Sequence, residues 1–317
     1  MRIVQKNAMS EKKLLMIRIS EIAVKGPKTR RKFLLSLVSH IKYVFNLYGI
    51  NDFEIKKTYS RINVLVPNKI VTKAKNILAN LIPGVASVSE VIKTKTQKEE
   101  IFDAVEEHFL KEIEQHDTFA VKVRRTGQHN FTSVELASMI GSFILERVKS
   151  DKLKVNLTRP DYVLNVDVQQ DETFLFTSKS QGLGGLPAET QGKVLIMISG
   201  KKEDLSNIVE LYIRGATTYI LLLNNKVNEE FKRTIEKIVK LQPNLKRSNV
   251  APIVKEREDV PRILIEHYER NNCLALCMTK EHFFKYEKNI PVEIPIFVPD
   301  IVKKIEESKL QRFLSTL

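Results

Sequence analysis

Val194-Leu195-Ile196-Met197-Ile198-Ser199-Gly200 sets five uninterrupted apolar residues ahead of a serine-glycine turn. A strand with one wet face alternates apolar and polar side chains. An unbroken run marks a strand buried on both faces, as in a parallel sheet with helices above and below it. Toward the C-terminus, helix-period segments at residues 205–214, 228–241 and 260–270 alternate with apolar segments at 219–223, around 248–254 and at 274–278. That alternation predicts a doubly wound α/β unit. The glycine-rich stretch Gln181-Gly182-Leu183-Gly184-Gly185-Leu186-Pro187 opens it.

Toward the N-terminus the pattern changes. Apolar residues 14–19, a basic loop at 25–31, an amphipathic segment at 30–47 and alternation through 53–66 read as strand, loop, helix, strand, a small α/β unit. A second unit follows. It has helix signals at 73–81, an Ile82-Pro83-Gly84 turn, a strand at 86–92 and a helix at 98–114. Its remainder reads as strands at 118–124, 153–157, 162–169 and 173–178, with a helix at 133–148. The expected division is residues 1–70, 71–180 and 181–317.

A chain of 317 residues with 43% hydrophobic content is long enough for more than one core. No run reaches the roughly 18 apolar residues of a membrane span, so no membrane role is expected and a cytoplasmic setting is. Two cysteines, Cys273 and Cys277, form neither a disulfide framework nor a metal quartet, and no metal site is expected. Both fall in the apolar segment at 274–278 or at its start, where core packing is the simpler reading than a sulfur-carrying nucleophile. The net charge is +14, and residues 1–66 hold 14 lysines and arginines against 4 acids. Ion-pair surfaces balance both signs, so this excess points to a polyanion.

Three basic clusters are candidates for that contact. Lys122, Arg124 and Arg125 end a strand and run into Thr126-Gly127-Gln128-His129-Asn130-Phe131, which offers cations, an imidazole and a ring for phosphates and an unpaired base. A solvated basic hairpin with Phe131 in the core fits the same residues. Thr158-Arg159-Pro160-Asp161 suits single-strand contact or an ordinary turn. Lys25, Lys28, Arg30, Arg31 and Lys32, with Arg18 upstream, lead into a helix N-terminus. Cations there oppose the helix dipole at about 0.3–1 kcal/mol, and a bound phosphate would offset that.

Ser20-Glu21-Ile22-Ala23-Val24-Lys25-Gly26 with Arg30-Arg31-Lys32-Phe33 resembles the opening of the ThiI family of tRNA 4-thiouridine synthases. Ile82-Pro83-Gly84-Val85, residues 119–133, Thr158-Arg159-Pro160-Asp161 and the glycine-rich stretch at 182–187 follow in family order. The resemblance implies a mixed α/β and α+β chain: an N-terminal ferredoxin-like domain, a THUMP domain, and a pyrophosphatase-like (PP-loop) doubly wound α/β domain. It implies tRNA as partner, held at its acceptor arm and 3′ end. It carries Lys25, Arg30 and Arg31 over to the first domain's RNA contacts, and Lys122, Arg124, Arg125, His129 and Arg159 to those of the THUMP domain.

The same resemblance shows what is missing. The family pattern S-G-G-x-D-S cradles the pyrophosphate of ATP, and here it reads Ser199-Gly200-Lys201-Lys202-Glu203-Asp204. Lys201 replaces a glycine, and Asp204 sets a carboxylate where a serine would donate to phosphate. In Thr279-Lys280-Glu281, lysine likewise replaces the glycine of T-G-E. Lys201 and Lys202 could grip phosphate, and Ser206 could stand in for the serine, without restoring the glycine backbone. The expectation is a degenerate PP-loop with no catalytic residues and no bound cofactor, in an RNA-binding adaptor or subunit that serves a catalytic tRNA-modifying partner. The alternative is an active ATP- and magnesium-dependent tRNA sulfurtransferase.

Overall fold

The computed structural model describes residues 12–19, 21–58, 61–150, 152–223, 227–244, 250–254, 259–299 and 305–317. Ser20 of the opening motif and residues 248 and 249 of an expected strand lie outside the described residues. Strand β1 (Lys12–Ile19) pairs antiparallel with β3 (Arg61–Pro67) on one side and β4 (Val85–Lys95) on the other, and β3 pairs with β2 (Glu54–Lys57). The alternation seen at 53–66 is thus a hairpin of two strands. Helices α1 (Pro27–Leu47) and α2 (Val71–Leu81) cover one face. Phe33, Leu37, Ile41, Val44 and Phe45 recur at helical spacing along α1 and are buried with Leu15 and Ile17 of β1.

Period-2 alternation sends Met16 and Arg18 to the opposite face. Cross-strand pairing makes two rows there: Arg61–Arg18–Ser87 and Asn63–Met16–Ser89. Arg61, Asn63, Met16, Ser87 and Ser89 are buried, so this polar face is covered. It is covered by the second unit.

Strand β4 is 11 residues long and belongs to both units. Its first part pairs with β1, and Ile92 to Lys95 pair with β8 (Glu172–Phe176). The expected division after residue 70 falls between β3 and α2, which pack on one sheet. Beyond β8 the order runs through β7 (Tyr162–Val168), β5 (Thr118–Arg125) and β6 (Lys154–Val155), while β9 (Ser180–Gln181) pairs back onto β4. Helices α3 (Lys98–His108) and α5 (Ser133–Val148) close a separate core around Phe119, Val121, Leu136, Ile140 and Leu164. The helix expected over 98–114 breaks at Phe109, with a single turn α4 (Leu110–Ile113) beyond it. Of the strand expected at 153–157, two residues pair.

In the third unit β10 (Lys193–Ile198), β11 (Thr217–Leu223), β12 (Val250–Val254), β13 (Ala275–Cys277) and β14 (Ile296–Phe297) form a parallel sheet. Its order is β12-β11-β10-β13-β14. The apolar run divides as a doubly buried strand must. Ile196 and Ile198 face a core with Ile208 and Tyr212 of α6 (Lys202–Ile213) and Ile235 of α7 (Glu229–Lys240). Leu195 and Met197 face another with Leu264 of α8 (Val260–Arg270).

The first of these cores is shared with the N-terminal unit. It runs unbroken from Leu15 and Phe45 to Tyr212, and on to Leu310 and Phe313 of the last helix, α10 (Glu307–Thr316). The glycine-rich stretch is clamped inside the same body. A Cβ on Gly182 would stand 2.1 Å from the Val85 carbonyl oxygen, and one on Gly185 2.1 Å from that of Ile213. Glycine is needed for that close approach. Among the described residues no helix is long and apolar enough to cross a membrane.

Candidate nucleic-acid interface

The turn after β5 is tightly built. Thr132 and Glu135 form a reciprocal capping box that starts α5. Arg125 donates from Nη1 to the Phe131 carbonyl at 2.8 Å and the His129 carbonyl at 3.3 Å. The His129 ring stacks on Phe131 at 5.4 Å and its Nε2 lies 3.1 Å from the Thr126 carbonyl oxygen, an acceptor, so this nitrogen carries the proton. Phe131 is buried in the second core. Its ring is therefore a plug rather than a stacking platform, and Arg125 supports the turn.

Lys122 and Arg124 project from the other face of β5 and are exposed. Two expected partners, Arg124 and Arg125, thus point to opposite sides of one strand. Cross-strand pairing extends their rows to Lys122–Asn165–Phe176 and Arg124–Asp167–Phe174. This face meets the polar face of the first sheet, where Asp167 pairs with Arg61 at 2.5 Å and the two side chains are 5% and 8% exposed.

Arg159 is exposed on a turn organised by Asn156, whose Oδ1 accepts from the Thr158 and Arg159 amides at 3.1 Å. Lys25 and Arg31 are exposed at the start of α1 and Arg30 is half-buried. Pro27 occupies the first turn, which contains no acid. Arg18, which sequence proximity groups with them, is instead directed onto the Phe176 ring at 4.5 Å. Lys179 lies 5.4 Å from the same ring. Nothing in the local sequence marks Lys179.

The loop at residues 199–204 lies at the carboxyl end of β10, beside β13, where the strand order reverses. Ligands of open α/β sheets bind at such a switch point. Here an internal group fills the loop. Asp204 Oδ2 accepts from the amides of Ser199, Gly200 and Lys201 at 2.8, 2.9 and 2.9 Å and from the Ser199 hydroxyl at 3.1 Å. Gly200, at φ +91°, supplies the left-handed turn that points these amides inward. Asp204 is fully buried, and burial pushes its carboxyl upward against these hydrogen bonds.

The crevice is also bridged. Lys201 pairs with Glu281 in the first turn of α9 (Lys280–Tyr286), and Lys202 with Glu307 at 3.0 Å, while Glu203 is exposed. Cys273 and Cys277 are buried, and burial pushes the Cys273 thiol up to about 11, far from a thiolate at neutral pH.

The family model of the ThiI ferredoxin-like domain matches residues 14–89 and that of the THUMP domain residues 95–178. A probable tRNA sulfurtransferase of Methanobrevibacter smithii is 31% identical over 239 residues, covering 71% of this chain and 59% of that protein. The chain spans less than two-thirds of the length of the curated relatives it matches. Two solved structures share the fold at 19% identity. PH1313 from Pyrococcus horikoshii superposes with a TM-score of 0.72 over 94% of this chain and 97% of that one. A 4-thiouridine synthetase–RNA complex with bound ATP does so at 0.66, over 97% and 87%.

Proposed function

As a THUMP-domain chain with a ThiI ferredoxin-like domain ahead of it, the protein is, we propose, a cytoplasmic tRNA-binding subunit of tRNA modification. Its third unit serves as scaffold and docking body for a catalytic partner, not as an adenylation site. The RNA side rests on the matched domains, on the exposed cations Lys122, Arg124, Arg159, Lys25 and Arg31, and on the RNA-bound neighbour of the same fold. The acceptor arm and 3′ end of tRNA are the proposed contact.

One observation carries the noncatalytic side: the Asp204 carboxylate occupies the amides that would cradle a pyrophosphate. An incoming phosphate would have to displace an anion already bonded to those donors. The Lys201–Glu281 pair would have to open as well. The rival reading, an ATP-dependent tRNA sulfurtransferase, is favoured by the activity named for the relatives.

Calorimetry on the purified chain separates the two. Titration with an unmodified tRNA transcript should give saturable heat, and titration with ATP and magnesium none, with or without tRNA. Saturable ATP binding would revive adenylation. Asp204→Ser should lower stability by about 1–3 kcal/mol by leaving buried donors unpaired, and should gain binding of inorganic pyrophosphate that the parent chain lacks. Absence of that gain would mean that Asp204 is not what blocks the loop.

Arg124→Ala should weaken transcript binding and reduce the salt slope of log K by about 0.7–0.9, with the melting temperature unchanged. Arg125→Ala should lower the melting temperature, because the carbonyls of His129 and Phe131 lose their donor. An unaltered slope for Arg124→Ala would remove that residue from the interface.

A further inference from the structure

The polar faces of the first two sheets bring together cations that are far apart in the chain. Arg18 Nη1 donates to Ser89 Oγ at 3.1 Å, its guanidinium lies over Phe176, and its Nη2 has no hydrogen-bond partner among the described residues. Lys179 stands over the same ring from an exposed position. Arg61 sits directly opposite Arg18 in the β1–β3 register. Like charges so placed repel.

The protein leaves this repulsion largely uncompensated. Burial, Arg61 and Arg124 together pull the Arg18 guanidinium down to about 10, and burial with Arg18, Arg124 and Lys122 lowers Lys179. The carboxylate acting on both is Asp167, which is already paired with Arg61. Among the described residues, Asp167 is thus the carboxylate that acts on both Arg18 and Lys179, with the cations Arg61, Lys122 and Arg124 beside them. Stability alone gives no reason to assemble them, whereas an anion seated among them does.

We propose that Arg18 and Lys179 hold a backbone phosphate of bound RNA over Phe176, carrying the interface from Lys122 and Arg124 across the junction of the first two sheets. The inference rests on the tRNA-binding reading and adds a site contributed by both units. A strand gripped there contacts β1, β5 and the segment after β8 at once. Because Arg61–Asp167 fixes the two faces against each other, the cations are already placed before RNA arrives, and little ordering cost falls on binding.

The test uses the full chain and a fluorescently labelled unmodified tRNA transcript, with anisotropy measured across a salt series. Lys179→Gln should weaken binding about threefold and lower the salt slope by up to about 0.7, the value for one phosphate, and Arg18→Gln with Lys179→Gln should weaken binding further while the slope loss stays at about 0.7. Without RNA, Lys179→Gln should melt at the parent temperature or above it, since a repulsion is removed. A structural lysine would lower both readouts. Lys237→Gln, exposed on α7, serves as control.

Parent-like affinity and slope in Lys179→Gln, while Lys122→Gln with Arg124→Gln weakens binding, would overturn this site and leave the RNA reading standing. No binding by the parent chain would overturn both. Should Arg18→Gln fail to fold, the exposed Lys179 decides alone.

Discussion

Asp167→Ala is expected to lower the unfolding free energy by about 3–5 kcal/mol, the usual cost of stranding one partner of a buried ion pair. Arg61 would remain with 8% of its side chain exposed, held by a 2.9 Å contact to the Met16 sulfur and facing Arg18. The pair is not required for net stability as such, because desolvating two charges offsets most of their attraction. Arg61→Met with Asp167→Leu should therefore recover most of the loss. Urea unfolding of the single and double variants measures both. A loss below 1 kcal/mol in Asp167→Ala would show that water reaches Arg61 and that the two sheet faces are not locked.

Lowering the pH from 6.5 to 4 should cost about 3 kcal/mol of stability through His40 alone. His40 is completely buried in the shared core, and burial brings its imidazole down from 6.5 to about 4. Its Nε2 lies 2.8 Å from the Leu241 carbonyl oxygen, an acceptor, and 3.2 Å from the Tyr212 hydroxyl, which donates to the Leu81 carbonyl at 2.8 Å. Nε2 therefore carries the proton, and a second one would go to Nδ1, which is buried with no hydrogen-bond partner among the described residues.

The sign follows from proton counting. Between pH 6.5 and 4 the unfolded chain holds a proton on His40 that the folded chain does not. Stability is complete above 6.5, falls as pH drops through that window and levels off below 4. Asp204, whose carboxyl is raised, acts with the opposite sign: its contribution is fullest at low pH and declines as pH rises through its folded value. The difference between the parent chain and His40→Gln isolates the histidine. A difference curve flat from pH 7 to 4 would mean that His40 accepts its proton in the folded state as freely as in water. Because the bonded carbonyls belong to α2 and to the end of α7, the same titration tests how firmly the first and third units are joined.

Patterns confined to neighbouring residues were legible in the chain. The unbroken run at 194–198 identified a parallel, doubly covered sheet, the apolar residues at 14–19 identified a strand, and the residue order of the ThiI and THUMP motifs identified the first two domains. The break at Phe109 was not legible, because the apolar pattern continues through it. Nor was the double membership of β4, since pairing partners leave no mark on a strand's own alternation.

The loop at residues 199–204 shows where local reading stops. Its substitutions are plain in sequence, and a carboxylate at 204 reads as a repellent for phosphate. That Asp204 turns back to take three amides of its own loop depends on Gly200 at φ +91° and on the start of α6, a matter of backbone path. Likewise Arg18 looks like part of the basic segment that follows it, yet its neighbours are Phe176, Lys179 and Arg124. By itself the sequence determined the element types and the families of the first two domains, because periodicity and local backbone chemistry are written over a few consecutive residues. Only the tertiary structure decided which cations converge and which units share a core, because those follow from contacts between segments far apart in the chain, and which carboxylate fills the loop, because that follows from the three-dimensional path of the backbone at residues 199–204.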